Sequence, residues 1–415
     1  MLGDHYLVDI FSGAGGLSEG FIREGFHPVA YVDSDEYACN TLKTRVTYWW
    51  LKKNRDLDTY YEYVKGNISR EDLYSEVDLP LDNLVMNRVI SQKSLPSITK
   101  KIKRNMKDQG VKRIQILLGA TPCQAYSAVG KARLTLEKAK VDPRTFLYRN
   151  FIKMVKALRP HFFIFENVPA IQTALDGKIL ETMKKKLTKM GYNVDPQILN
   201  AKDYYVLQNR KRMIMAGWTQ DVDGEYPYPQ TKEHDYLVAD LFKDLPHLKP
   251  GEGENVMEYT SEPNGYLTSS GIRDTWNILT HHIARPHNCR DLQIYEKAIN
   301  MWDQSGKRLQ YTDLPEHLQT HKNKKSFLDR FKVVVKNKPY SHTLVAHIAK
   351  DGHYYIHPDI QQTRSLTVRE AARLQSFPDD YYFEGPRTAR YKQIGNAVPP
   401  LLAQGIAKKI RGMLN

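Results

Sequence analysis

Cysteine is scarce in this chain. Only Cys39, Cys123 and Cys289 occur in 415 residues, far apart and odd in number. A disulfide framework is therefore excluded as the organising device, and a reducing compartment is expected. No uncharged apolar run is long enough to cross a bilayer, and the start MLGDHYLVDIFSG lacks the basic-then-apolar layout of a secretory signal. A cytoplasmic protein with no membrane role is expected. Internal repeats and low-complexity tails are also missing. Acid is in deficit: 47 Asp and Glu face 61 Lys and Arg, a formal net charge of +14. That excess points to an anionic partner, nucleic acid first, because Lys and Arg gain affinity by neutralising phosphates. Charged residues are 26% and apolar residues 41% of the chain, which excludes wholesale disorder.

What is present alternates between strand and helix. Tyr6–Phe11 is a short apolar run, Ser12–Gly16 a turn, and Leu17, Phe21 and Ile22 recur at helical spacing until Gly25. Pro28–Val32 then reads as a second strand ending at Asp33. This strand–helix–strand unit seeds a doubly wound α/β sheet. Two more buried-strand candidates follow, Ile114–Leu118 and Phe162–Phe165, with an amphipathic helix over Phe151–Leu158 between them. Residues 45–112 break the alternation and read as an inserted, basic surface excursion. After Trp218 the composition turns to Pro, His, Asn and Gly, which predicts a smaller, loop-rich second domain. The expected organisation is a catalytic and cofactor-binding domain over 1–219, a second domain over 220–362, a hinge over 363–392, and a C-terminal helix over 393–415 that returns to the first domain. Pro399-Pro400 opens that helix.

Polar or reactive residues sit repeatedly just after apolar strands, where open α/β sheets bind ligands. Gly13, Gly15 and Gly16 allow a sharp bend and close ligand approach, and Asp33, twenty residues on, stands where an acid holds a ribose diol. The turn implies an adenosine-bearing cofactor without choosing one, and Ser18 stands where the strict dinucleotide pattern has its third glycine. Cys123 heads a polar loop after a strand. A thiol there becomes a nucleophile when neighbours lower its pKa below the free value of about 8.5. Cys39 and Cys289 read as ordinary thiols. Glu166 follows four apolar residues, so its pKa should be raised toward that of a proton donor. Arg210 and Arg212 are alternate residues of a strand and share a face. His281, His282, His287 and Cys289 match no common zinc spacing, so no metal site is expected.

Taken in order, Asp9-Ile10-Phe11-Ser12-Gly13-Ala14-Gly15-Gly16, Pro122-Cys123-Gln124, Glu166-Asn167-Val168, Gln208-Asn209-Arg210-Lys211-Arg212, Arg364–Pro378 and Gly395-Asn396-Ala397-Val398-Pro399-Pro400 resemble the signature blocks of DNA cytosine-5 methyltransferases of the prokaryotic restriction-modification type. The resemblance covers the first 40 residues or so, about 114–218, and about 363 to the end. It implies a Rossmann-like sheet for S-adenosyl-L-methionine and a target-recognition domain over 220–362. It also implies a reaction in which Cys123 attacks carbon 6 of a flipped cytosine. By the same resemblance Glu166 holds ring nitrogen 3 and the amine, Arg212 meets the carbonyl oxygen, and Arg210 lies near the nucleophile. The cofactor would be held by Phe11, Gly13, Gly15, Gly16, Leu17, Asp33, Pro122, Leu147 and Asn396. Asn67 and Ile68 match the block that reads the adenine amine, and Ser34 stands where an aromatic residue often packs on adenine. Double-stranded DNA is the implied substrate, a restriction endonuclease of the same specificity the implied companion, and a monomer the implied state. The rival readings are an RNA cytosine-5 methyltransferase, a DNA-binding protein without activity, and a nucleotide-dependent oxidoreductase.

Overall fold

A computed structural model of the chain describes residues 5–54, 56–122, 146–320, 324 and 328–414. In chain order the elements are β1 (His5–Ile10), α1 (Gly16–Arg23), β2 (Phe26–Asp33), α2 (Glu36–Asn54), α3 (Asp58–Lys65), α4 (Arg70–Ser75), α5 (Leu81–Leu84) and β3 (Val85–Asn87). Then come α6 (Leu95–Asp108), β4 (Ile116–Ala120), α7 (Tyr148–Leu158), β5 (Phe162–Asn167), α8 (Lys178–Thr188), β6 (Tyr192–Asn200) and β7 (Lys211–Thr219). The last third holds β8 (Val256–Met257), α9 (Gly265–Ser269), β9 (Leu279–Thr280), α10 (Cys289–Ser305), α11 (Val368–Leu374), α12 (Arg387–Asn396) and α13 (Pro400–Leu414).

Seven strands form one sheet in the order β3-β2-β1-β4-β5-β7-β6. The β3, β2, β1, β4 and β5 strands run parallel, and β7 is antiparallel to both β5 and β6. This is the expected Rossmann-like sheet. Every residue of β5 is buried, as a strand covered on both faces requires. Register between β1 and β2 shifts beside Pro28, where the missing N–H breaks the ladder.

Helices cover both faces. On one, Ile98 and Ile102 of α6, Phe151, Met154 and Val155 of α7, and Ile179 and Met183 of α8 pack on Val8, Ile10, Leu117, Phe163 and Phe165. On the other, Leu17 and Phe21 of α1 meet Leu402, Ile406 and Ile410 of α13 over Leu7, Leu118 and Ile164. The C-terminal helix thus packs on the sheet beside α1.

Two expectations need correction. Residues 45–112 are not a surface excursion: they contain the edge strand β3 and the buried stripe of α6. A three-residue strand is too short to show a period, and the lysines on the outer face of α6 mask its apolar stripe. Likewise, residues 363–392 are not a loose hinge. All seven residues of α11 are buried. The loop-rich region 220–362 shares its core with them: Val238, Leu241, Tyr266 and Leu344 pack against Leu366, Ala371, Phe377 and Tyr391.

Candidate active site

The parallel strands end along one edge, and register aligns their last residues. Asp33 of β2 lies opposite Asn87 of β3, and Ala120 of β4 opposite Glu166 of β5. Most of the predicted residues gather on this edge.

The Gly-rich turn follows β1. Phe11 takes φ 56°, a left-handed conformation unusual for a bulky residue and common where backbone strain serves a site. Gly15 also has positive φ, and a Cβ there would fall 2.6 Å from Leu42 Cδ2. A Cβ on Gly16 would fall 2.4 Å from the Val398 carbonyl oxygen. These two glycines therefore let the turn pack against the protein itself. Gly13 differs: at φ +51° its Cβ position opens to free space. The Asp33 carboxylate accepts from the Gly13 N–H at 2.8 Å and the Asp35 N–H at 2.9 Å, with burial raising its pKa against those donors. Below the turn both Asp9 carboxylate oxygens and Ser12 Oγ are buried without a hydrogen-bond partner. Burial, opposed by Ser18 and helped by Asp33, lifts Asp9 to about 7. An open Gly13, a strand-end carboxylate and unsatisfied polar atoms suit a ligand carrying an ammonium group and a diol. S-adenosyl-L-methionine fits that description. Leu17 lies behind the turn, buried in α1.

The second half of the site is built on β5 and β7. Glu166 pairs through Oε1 with Arg212 Nε at 2.9 Å, both side chains about nine-tenths buried. Burial pushes the Glu166 carboxyl up, against the pull of Arg212 and Arg210. Asn167 donates to the Thr121 carbonyl at 3.1 Å and to its hydroxyl at 2.9 Å, tying the end of β5 to the end of β4 just before Pro122. Pro122 is exposed there, and Leu147 is half-buried before α7. Cys123 lies outside the described residues.

Arg210, expected near Cys123, can be placed by its own hydrogen bonds. It is wholly buried and donates to the carbonyls of Leu344 (2.5 Å), Gly395 (3.2 Å) and Ala397 (2.8 Å). Three carbonyls converging on one guanidinium make it a brace between β7, the loop-rich region and the Gly395–Ala397 block. Gln208 and Gln375 extend that brace: Gln208 donates to Gln375 at 2.7 Å, and Gln375 to Ala397 at 2.7 Å. Neither glutamine stood out as functional from sequence, because a lone amide carries no charge or spacing signal. Asn396 itself is exposed, on a block seated against Gly16.

Asn67 and Ile68 depart from expectation. Asn67 follows the C-terminus of α3, exposed, with its amide on Glu62 Oε2 at 2.7 Å. Ile68 packs with Val46, Leu51 and Tyr60. The strand end beside Asp33 carries Asn87 instead, whose amide reaches Cys39 Sγ at 3.5 Å. Ser34 is exposed. Two histidines of the loop-rich region make internal hydrogen bonds: His282 with Thr367 and the Pro246 carbonyl, His287 with Ser365.

A family model described as "C-5 cytosine-specific DNA methylase" matches residues 6–69 and 87–412. The interruption, 70–86, spans α4, α5 and the start of β3. The Type II methyltransferase M.Bpa9945I of Bacillus paralicheniformis is 38% identical, over 99% of each chain. The Type II methyltransferase M1.HphI of Haemophilus parahaemolyticus is 30% identical, over 98% of this chain and 86% of its own length. A crystal structure of a DNA modification methyltransferase encoded within an E. coli prophage shares the fold, with TM-score 0.67 at 24% identity, over 99% of this chain and all of the other.

Proposed function

The chain belongs to the C-5 cytosine-specific DNA methylases, and from that premise we propose how its residues divide the work of moving a methyl group onto carbon 5 of cytosine in DNA. The buried Glu166–Arg212 pair at the strand edge carries this reading. Carbon 5 of an aromatic pyrimidine is a poor nucleophile until addition at carbon 6 breaks the aromaticity. Cys123 supplies that addition: its thiolate bonds to carbon 6, and the ring's electron pair moves to carbon 5. Glu166, its carboxyl pKa raised by burial, hydrogen-bonds or protonates nitrogen 3 and so takes up the charge that addition creates. Arg212 orients Glu166 and meets the cytosine carbonyl oxygen. Bound S-adenosyl-L-methionine supplies the electrophilic methyl group. Carbon 5 would displace the methyl group from the sulfonium, whose sulfur would keep the bonding pair as a thioether; the carbon 5 proton then leaves to a base, and the bond from carbon 6 to the Cys123 sulfur breaks, releasing the thiolate and restoring the ring. The target must leave the helical stack to be reached, at a cost of a few kcal/mol.

Phe11, Gly13, Gly15, Gly16, Leu17 and Asp33 hold the methionine and ribose parts in this reading, with Pro122, Leu147 and Asn396 as wall positions. Asn87 takes the adenine side in place of Asn67. The loop-rich region 220–362 reads the target sequence, and Arg210 is a positioning residue that fastens it to β7. The enzyme acts as a cytoplasmic monomer, as the modification partner of a restriction endonuclease of the same specificity. Among the described residues no helix is long and apolar enough to cross a membrane.

Base-resolution mapping of 5-methylcytosine in DNA of a host expressing the protein tests the whole. A new methylated motif is expected. Its absence under good expression sinks the proposal. Methyl transfer from tritiated cofactor to DNA and not RNA separates the two polymers, and Cys123→Ala should abolish transfer while DNA binding persists.

A further inference from the structure

The net charge of +14 is not spread over the molecule. Residues 95–115, 148–161 and 176–191 hold sixteen Lys and Arg against three Asp and Glu, a net of +13. The region 220–362, which the target sequence is read by in the proposal above, holds seventeen against twenty and is net acidic. The three basic spans are α6, α7 and α8 with the turns that follow them, and these helices lie side by side on one face of the sheet. Each runs back from the carboxyl edge of the strands, so their C-terminal ends meet at the opposite edge. Two hydrogen bonds lace those ends together: Arg113 Nε donates to the Arg159 carbonyl at 2.9 Å, and Arg159 Nη1 to the Met190 carbonyl at 2.7 Å. An open depression of about 550 Å³ lies among Lys103, Met106, Lys107, Lys112 and Leu158. Lys103, Lys107 and Lys112 are exposed at its lining, and Lys156, Lys186 and Lys189 are exposed on the neighbouring helices α7 and α8 and the turn after α8.

We infer that this helical face is a second, sequence-independent binding surface for duplex DNA, separate from the cleft at the strand edge. Cations at a helix C-terminus settle its dipole, but one or two per helix suffice for that; Lys103, Lys112 and Lys184 are surplus to it. The chemistry of the face favours a polyanion over other partners. No large apolar side chain is exposed within the three spans, whereas protein hot spots and membrane-surface helices need apolar anchors. For the same reason no aromatic platform is offered to the bases of a single strand. Three helices about 10 Å apart make a face roughly 20–30 Å wide, enough to take one side of a duplex along its phosphates. The patch lies at the opposite edge of the sheet from the candidate active site, the length of the strands away, about 17 Å for β4. The occupant in this inference is another segment of DNA, which lets the enzyme hold one stretch while it samples the next.

The test uses full-length enzyme saturated with a duplex bearing its mapped methylation site. A labelled duplex of dA and dT only is then titrated in. The saturated wild type should still bind it, with affinity falling steeply between about 50 and about 200 mM salt. The quadruple variant Lys103→Glu, Lys107→Glu, Lys156→Glu, Lys186→Glu should lose at least about ten-fold of that affinity and lower the salt slope by about 3. Its methylation of a single-site oligonucleotide should stay within about two-fold of wild type. The same four positions changed to Arg should restore the second duplex, with an unchanged melting temperature as the folding check. Saturated wild type that takes up no second duplex overturns the inference. So does a Glu variant that binds like wild type, or a face that retains phosphatidylserine vesicles and not the duplex.

Discussion

At the end of β1 the Asp9 carboxyl is wholly buried and lacks a hydrogen-bond partner, and burial raises its pKa from 3.8 to about 7. The folded protein therefore binds this proton more tightly than the unfolded chain does. The stability it contributes is complete below about pH 4 and is lost as pH rises through about 7. A shift of this size corresponds to about 4 kcal/mol at most. In cofactor-free protein, Asp9→Asn should flatten the pH dependence of urea stability between pH 4 and 8, and leave the variant the more stable at pH 8; parallel wild-type and variant profiles would show that Asp9 is satisfied in solution. Glu166 faces the same burial but is paired, and its prediction concerns rate. Glu166→Gln keeps the shape and removes the proton and the ion pair. It should lower kcat by about 10²–10⁴ with little change in KM for DNA, read in a tritium-transfer assay. A drop in affinity with kcat intact would make Glu166 a binding residue only. Glu166 was legible in the sequence because four apolar residues precede it on a strand. The strand-end position of Asn87 opposite Asp33 was not, because its strand is three residues long.

Elements show where the sequence is read less easily. The α11 helix looks like an ordinary amphipathic segment, yet its charged residues are all buried. Arg373 bonds to Asp244 at 2.5 Å and to Asp379 at 2.5 Å, and Asp244 also binds Arg273 at 2.6 Å. Arg364 binds Glu370 at 2.7 Å, and Glu370 caps the helix by accepting from the Thr367 N–H. The Glu370 carboxyl is held far below its usual range by Arg364 and His357, despite its burial. Sequence spacing gives the cap but not the partners, since Asp244 lies 129 residues from Arg373. Removing one partner of a buried pair strands the other, which costs about 3–5 kcal/mol. Asp244→Ala should therefore destabilise strongly in urea melts, while Asp235→Ala, at an exposed position nearby in sequence, should stay within about 0.5 kcal/mol. Equal effects would mean the network is solvated. Arg210 is tested by kinetics instead. As a brace on the Gly395–Ala397 block it should, when changed to Met, raise KM for the cofactor more than it lowers kcat. A pure loss of kcat would return it to the chemistry.

The molecule is built on one seven-stranded sheet, with a chain that leaves it and returns. Residues 1–219 supply all seven strands of this sheet, which from sequence reads as a self-sufficient catalytic domain with an appended reader. The packing argues otherwise. One face of the sheet is covered by α1 together with α13, whose Leu402, Ala403, Ile406, Ala407 and Ile410 are fully buried. The α2 region is covered in part by Trp276 and Ile278, and the Tyr381 hydroxyl bonds the Ala14 carbonyl in the Gly-rich turn. Return of the chain was legible from Pro399-Pro400 and the apolar spacing behind it. The sharing of one core was not, because it depends on contacts between residues hundreds of positions apart. A fragment ending at residue 219 would expose the apolar face that α13 covers, several side chains worth roughly 1.5–3 kcal/mol each. It should therefore fail to give a cooperative thermal transition and should aggregate. In the full chain, Ile406→Ala should cost about 2–5 kcal/mol through the cavity it leaves. If the fragment instead melts cooperatively on its own, the sheet is independently stable and the returning helix serves only to attach the reader.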